Sequence, residues 1–261
     1  MRILISNDDG IESQGILKLA HGLRDIGLDV TVVCPHRERS TTSHSLTLHK
    51  PLRVFEVEKQ IYAVTGSPAD CVYFATRFLL KNNKPDLVVS GVNRGANLGH
   101  DIFYSGTVAA AREAALFGIP SIAMSLAINL KEAHAPAYWE TAVEFGKALV
   151  PWFAARKFPA SHVLNVNIPN VPARDIKGVR VSRQGRRVYA DVVTEGVDPR
   201  GKKYYWVGGP YTGFDQIPDS DCVHVDQGFI SLVPLKTDTT DYDLRTELKN
   251  WEGLQFPVSK G

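Results

Sequence analysis

Asp8 and Asp9 are adjacent carboxylates just behind a short apolar run, Ile3-Leu4-Ile5, and Gly10 comes directly after them. Asn93 and Asn97 bring two amides after a second apolar run, and Ser40 brings a hydroxyl after a third. An all-oxygen set of this kind suits a hard divalent cation such as Mg²⁺, Mn²⁺ or Ca²⁺, whereas zinc normally recruits His or Cys. Neighbouring carboxylates repel unless a cation or a proton lies between them. Asp and Gly are also favoured turn residues, so the residues alone leave a metal site and a plain turn side by side. A second constellation, Tyr104-Ser105-Gly106-Thr107-Val108, stands immediately ahead of an Ala-rich stretch. A helix starting there offers unpaired backbone N–H groups and a partial positive charge, and Gly with flanking hydroxyls lets a phosphate come close. Plain N-capping by Ser105 or Thr107 is the competing reading. A cation site beside an anion cradle is the equipment of phosphoryl chemistry.

The elements that must position these residues are read from apolar runs alternating with helical periodicity, the pattern of βαβ units and a parallel sheet. Ile3-Leu4-Ile5 reads as a buried strand, and Ile16, Leu19, Leu23 and Ile26 recur at helical spacing before Gly27. Val30 to Cys34 is a second strand, ended by Pro35. Leu52 to Val57 and Ile61 to Thr65 read as a hairpin or two short strands. Pro68 starts a helix through Leu80, with Val72, Ala75, Phe78 and Leu79 on its inner face. Asp86 to Ser90 is a strand, Thr107 to Phe117 a helix ended by Gly118, and Ser121 to Leu126 a strand. Tyr138 to Phe153 is an aromatic amphipathic helix and His162 to Ile168 a further strand. Ligands of an open parallel sheet bind beyond the carboxyl ends of its strands, so the loops carrying Asp8 and Asp9, Ser40, and Asn93 and Asn97 are expected to open on one edge.

Beyond about residue 170 the pattern changes to short strands at Val179 and Val181, Val188 to Val193, Tyr204 to Val207 and Phe229 to Leu235. Residues 208–221 read as a long connection, and no helix of clear period is expected before Asp241 to Trp251. The expected architecture is α/β: a Rossmann-like, mostly parallel sheet flanked by helices over residues 1–170, with a β-rich, antiparallel C-terminal extension over 171–261.

The chain has 261 residues, 30 Lys+Arg against 28 Asp+Glu, and a formal net charge of +2. So small a charge argues against nucleic-acid duplexes and membrane surfaces as partners. Hydrophobic content of 44% describes a globular chain that needs no disulfide, and three scattered cysteines without a CxxC pair fit a reducing compartment. No apolar stretch approaches a membrane span and no signal peptide is read, so a cytoplasmic protein is expected.

Several local patterns carry less. Gly91, Gly95 and Gly99 form neither a dinucleotide fingerprint nor a Walker loop. Cys34 to Arg39 is one residue short of a thiolate phosphatase loop, and a strand-end Cys is ordinarily core. Adjacent Asp8 and Asp9 lack the DxD spacing of a haloacid-dehalogenase nucleophile. His36, His44 and His100 lie near the candidate edge, ordinary surface residues with one retained as a proton-donor candidate. The basic run Arg174, Lys177, Arg180, Arg183, Arg186 and Arg187 reads chiefly as a solvated strand face.

The motifs in order, Ile5-Ser6-Asn7-Asp8-Asp9-Gly10, Arg39-Ser40 with Ser45-Leu46-Thr47, Gly66-Ser67-Pro68-Ala69-Asp70-Cys71-Val72, Val89-Ser90-Gly91-Val92-Asn93-Arg94-Gly95 and Tyr104-Ser105-Gly106-Thr107-Val108-Ala109-Ala110, resemble the SurE (survival protein E) family. Asp198-Pro199-Arg200-Gly201, Tyr205-Trp206 and Gly228 to Leu235 extend the resemblance over nearly the whole chain. Ser67 and Ala69 stand where many relatives have Thr. The resemblance implies a metal-dependent nucleotidase that hydrolyses nucleoside 5′-monophosphates, with 3′-monophosphates and short polyphosphate as further substrates and no strict base preference. It implies one divalent cation per subunit, Mg²⁺ or Mn²⁺, bound by Asp8, Asp9, Ser40 and Asn93, with Asn97, Ser105, Gly106 and Thr107 on the phosphate. It also implies a homodimer or homotetramer built through exchanged C-terminal arms.

The expected reaction is phosphomonoester hydrolysis by water, with Asp8 or Asp9 as general base and the phosphate oxygens held by Asn97, Ser105 and Thr107. A zinc-dependent deacetylase is a rival, but its His-Pro-Asp-Asp turn is not matched here, where Asn7 precedes Asp8. A non-catalytic nucleotide sensor is the rival from another class.

Overall fold

A computed structural model describes residues 1–128, 136–190 and 192–254. In chain order the first half contains β1 (Arg2–Ser6), α1 (Gln14–Asp25), β2 (Asp29–Pro35), β3 (Val54–Glu58), β4 (Ile61–Val64), α2 (Pro68–Phe74) and β5 (Leu87–Arg94). Next come α3 (Gly106–Leu116), β6 (Ser121–Ala127), α4 (Trp139–Ala154) and β7 (His162–Pro169). The second half contains β8 (Val179–Val181), β9 (Arg187–Tyr189), β10 (Val193–Val197), β11 (Lys203–Val207), β12 (Tyr211–Phe214), α5 (Asp221–Asp226), β13 (Ile230–Lys236) and α6 (Tyr242–Glu247).

Nine strands form one sheet in the order β3-β4-β2-β1-β5-β6-β7-β13-β8, and β4 through β7 in that order are parallel. Parallel strands covered on both faces must be apolar on both, and β1 is: Ile3 and Ile5 join one buried cluster while Leu4 joins the other. The first cluster is closed by Ile16, Leu19 and Leu23 of α1 with Trp139, Leu149 and Phe153 of α4. The second is closed by Cys71 and Val72 of α2 with Ala110 and Ala114 of α3. The small alanines let α2 and α3 lie close together over the sheet, which brings the start of α3 to the end of β1.

The chain builds outward from β1 to β2 and β4, then resumes on the other side with β5, β6 and β7. The reversal falls between β1 and β5, where adjacent loops diverge and leave the crevice that open α/β sheets use for ligands. The α/β, mostly parallel fold expected from the sequence is therefore the one observed.

The second half departs from its expected course. Rather than standing apart from the sheet, β13 pairs antiparallel with β7, and β8 pairs parallel with β13. Residues 208–221 contain β12, which pairs with β9, and α5 begins at Asp221 with Ser220 as its cap. The expected strand from Val188 to Val193 is two strands, β9 ending at Tyr189 and β10 starting at Val193, and Asp191 between them lies outside the described residues, as do 255–261 at the end of the expected extension. Tyr204 to Val207 belongs to β11, which forms a two-stranded ribbon with β10. The helix expected over Asp241 to Trp251 is α6 followed by a 3₁₀ segment, Leu248–Gly253.

The helix expected from Pro68 to Leu80 is α-helical only to Phe74 and continues as a π turn over Ala75–Leu79. A π turn adds a residue to the helical repeat and rotates the side chains after it. Val72 and Ala75 face inward as expected, but Phe78 is 69% exposed. Ile26, expected on the inner face of the first helix, lies past its end and is exposed.

Candidate functional site

The site residues lie at or beyond the carboxyl ends of parallel strands, or at the start of α3. Asp8 and Asp9 lie just beyond β1 in a turn closed by Asn7, whose side chain donates to Gly10 O at 2.9 Å and accepts from its N–H at 3.3 Å. Asn93 is the penultimate residue of β5, placed there by an irregularity: the register with β6 shifts between Ser90 and Asn93. Gly91 makes the irregularity feasible, because its φ is +135° and a Cβ there would lie 2.2 Å from Met124 O.

Asp8 is buried and Asp9 half-buried. The Asp8 carboxylate lies at the N-terminus of α3, where Thr107 Oγ1 donates to its Oδ1 at 2.5 Å. Burial pushes the Asp8 carboxyl above its ordinary range, and that hydroxyl and the N–H groups of Gly106 and Thr107 pull it part of the way back. The close approach needs a glycine at position 106, since a Cβ there would lie 2.9 Å from Asp8 Oδ2. Asp9 Oδ2 accepts the Arg94 N–H at 3.0 Å. Burial, then the charge of Asp8, raises the Asp9 carboxyl to about 6 against the opposing pull of that N–H, and Glu38 raises it further.

Asp8, Asp9, Ser40, Asn93, Asn97 and Ser105 all line one cavity of about 1340 Å³. Asn93 Nδ2 donates to Gly95 O at 2.9 Å, which commits the amide nitrogen and leaves Oδ1 for a ligand. Ser40 Oγ donates to Glu38 Oε1 at 2.6 Å, so its lone pairs remain for a cation. Two carboxylates, an amide oxygen and a hydroxyl fit a hard divalent cation, whose remaining positions water would fill. The fit rests on the Asp pair: burial raises both carboxyls, and a cation bound between them would favour their charged forms. Among the described residues no group of three or more His, Cys, Asp and Glu is arranged for a metal, and neither His nor Cys lines the cavity.

The residues expected on a phosphate divide into two sets. Ser105 and Asn97 reach the cavity, and Ser105 is also the helix cap, its Oγ accepting the Val108 N–H at 3.0 Å. Thr107 is fully buried with its hydroxyl spent on Asp8, and neither it nor Gly106 lines the cavity. Asn97 is held by partners that sequence reasoning missed. Asn167 Oδ1 accepts its N–H at 2.8 Å, Asn165 and Asn167 both donate to its carbonyl at 2.9 Å, and its own Nδ2 donates to Ser125 at 2.8 Å. The signal was present as two asparagines alternating with apolar residues in a buried strand, which polar groups rarely occupy without purpose.

The cavity wall also contains aromatic and aliphatic side chains: Tyr104, Trp139, Tyr189, Val192, Val193 and Val207. Asp101 ties that wall down, accepting from Arg187 Nη1 at 2.6 Å and from Tyr189 OH at 2.5 Å. Arg187 is thus removed from the basic run, whose face was expected to be solvated. His36, His44 and His100 do not line the cavity, and His44 Nε2 is engaged 2.6 Å from Glu113 Oε2. Cys34, Cys71 and Cys222 are buried free thiols, and burial raises the Cys34 thiol far above its usual range, which suits a core residue and not a nucleophile. No helix among the described residues is long and apolar enough to cross a membrane.

Comparison with known proteins finds relatives that match nearly the whole chain. The family model described as Survival protein SurE matches residues 3–191. The chain is 49% identical over 253 residues to a protein of Geobacter sulfurreducens named 5′-nucleotidase SurE, covering 97% of this chain and 94% of that protein. It is 46% identical over 270 residues to a protein of the same name from Gloeobacter violaceus, covering both in full. The crystal structure of the SurE protein from Aquifex aeolicus is similar with a TM-score of 0.85 at 39% identity, over 97% of this chain and all of that one. By matched length, identity and fold alike, the chain belongs to the survival protein SurE family.

Proposed function

We propose that this chain is a divalent-metal-dependent phosphomonoesterase that hydrolyses nucleoside 5′-monophosphates to nucleoside and phosphate. The carrying observation is the Asp8 and Asp9 pair, with buried Asp8 set at the start of α3, in a cavity also lined by Asn97, Ser105 and aromatic side chains. A nucleoside monophosphate needs both kinds of lining: its dianion would lie by Asn97 and Ser105, and its base and sugar against aromatic side chains such as Tyr104, Trp139 and Tyr189. Aromatic and aliphatic side chains favour stacking over reading of base edges, which accords with a weak base preference. The reading extends to 3′-monophosphates and, more loosely, to short polyphosphate.

Asp8, Asp9, Ser40 and Asn93 are the residues that would hold Mg²⁺ or Mn²⁺. When bound, such a cation offsets charge on the phosphoryl oxygens and lowers the pKa of a water beside it. Asp8 or Asp9 serves as the base that takes the proton of the attacking water, and in Asp9 the Arg94 N–H donating to Oδ2 fixes the carboxylate in place. Thr107 keeps Asp8 oriented and charged. Ser105 and Asn97 donate to the equatorial phosphoryl oxygens as their charge rises.

The same reading makes the molecule a homodimer or homotetramer. The ribbon of β10 and β11 exposes Val193, Tyr205, Trp206 and Val207, a large apolar surface of the sort that partner subunits cover. Phosphate release from a panel of 5′- and 3′-nucleotides, after chelation and addition of Mg²⁺, Mn²⁺ or Zn²⁺ in turn, tests the proposal. Release from 5′-monophosphates with Mg²⁺ or Mn²⁺ is expected. Binding without turnover would favour a sensor, and metal content on reconstitution showing dependence on zinc alone, without phosphate release, a deacetylase-like centre.

A further inference from the structure

We propose that Glu113 of α3 is a positioning residue for the candidate metal site, acting through His44 on the segment that carries Ser40. The inference rests on the metal-dependent reading of the site. Residues 36–53 run from β2 to β3 with neither helix nor strand, so contacts from other parts of the chain must hold Ser40 in place. Thr41 and Ser43 flank Thr42 with φ of 55° and 51°, left-handed conformations that residues with a Cβ resist, a β-branched one most of all. Such backbone persists only where its surroundings over-determine it.

The surroundings supply a row of tethers. Arg39 N–H donates to Asp8 O at 2.7 Å, and Ser43 N–H to Tyr104 O at 3.2 Å. Ser67 Oγ donates to Ser45 O at 2.6 Å, and Asp70 accepts both the N–H and the hydroxyl of Thr47, at 2.8 and 2.6 Å. The Gly66 to Val72 motif is accounted for in this way, through the buried Asp70. Glu113 meets His44 between these anchors, 2.6 Å away, with its side chain 5% exposed.

Glu113 is a costly choice for its position. It lies among Ala109, Ala110, Ala111, Ala114 and Ala115, all buried, where an apolar side chain would serve packing at least as well. What a carboxylate adds there is a directed bond to the loop. Thr107, which holds Asp8, stands six residues earlier on the same helix, roughly 9 Å along its axis. One rigid helix therefore references both sides of the site: Asp8 directly, and Ser40 through His44.

The test compares Mn²⁺ affinity, by calorimetry on chelated protein, with amide exchange over residues 40–46. Glu113→Leu is expected to keep or raise the melting temperature while weakening Mn²⁺ binding about tenfold and speeding exchange in the loop. His44→Ala should weaken binding similarly, and the double variant should be no worse than the weaker single one. Glu113→Gln, which keeps an acceptor for His44, should stay within about twofold of wild type, set against the tenfold loss expected of a lost supporting partner. Wild-type Mn²⁺ affinity in Glu113→Leu, or a Glu113→Gln as weak as the leucine variant, would overturn the proposal. A wild-type protein that binds no Mn²⁺ would overturn it together with the metal-dependent reading.

Discussion

Thr107 Oγ1 donates to Asp8 Oδ1 at 2.5 Å, joining the first turn of α3 to the loop after β1 inside the core. The hydroxyl favours the charged form of a carboxyl that burial would keep protonated. Thr107→Val keeps the shape and removes the donor, leaving a charged acceptor short of one bond. Stability should fall by about 2 kcal/mol. Asp8 should then hold its proton to higher pH, so the acid limb of the activity profile should move upward while Thr107→Ser stays close to wild type. An unmoved acid limb in Thr107→Val would contradict this role.

Asp9 makes metal-free stability depend on pH in a definite direction. Its carboxyl lies at about 6 in the folded chain against 3.8 unfolded. Below about 4 both states hold the proton and the site costs nothing; between 4 and 6 the unfolded chain alone ionises, so folding is progressively penalised, and above 6 the penalty is complete. In chelator, Asp9→Asn should therefore match wild type near pH 4 and melt higher at pH 7. Mn²⁺ should reverse that order at pH 7 by raising the wild-type melting temperature only. Melting curves that stay parallel from pH 4 to 7 would remove the electrostatic account of the site.

Ser105 caps α3 and also faces the cavity, and the two roles are separable. Asp caps as well as Ser, so Ser105→Asp should melt within about 3 °C of wild type. Its carboxylate would repel a phosphate, and kcat/KM for AMP should fall at least ~100-fold. Near-normal turnover in this variant would reduce Ser105 to a cap.

The parallel half of the sheet was legible because its strands are largely buried apolar runs, such as Val30 to Cys34, which ends at Pro35. The strand-end rule singled out Asp8, Asp9, Ser40, Asn93 and Asn97, which line one cavity together with Ser105 from the start of α3. The second half resisted reading for two reasons. Its strands are short and largely exposed, as in β8 and β9, so they lack the alternation that burial imposes. Strand partners are also a tertiary matter: nothing in Phe229 to Leu235 shows that it adds to β7. The short α5, with six residues, cannot display a helical period. Within the site, spacing placed Thr107 at the helix start but could not tell which oxygen its hydroxyl faces, and the π turn after Phe74 has no apolar signature, which is why Phe78 was expected inside.

The central claim is that Asp8 and Asp9 bind the cation on which hydrolysis depends, and one titration addresses it most directly. Mn²⁺ is added to chelated protein while bound metal and AMP hydrolysis are measured together, in wild type and in Asp8→Asn. Wild type should take up one ion per chain, with activity rising in step with occupancy, and Asp8→Asn should remain folded yet neither bind nor turn over. Hydrolysis of AMP by wild type in excess chelator, or near-normal turnover in Asp8→Asn, would contradict it.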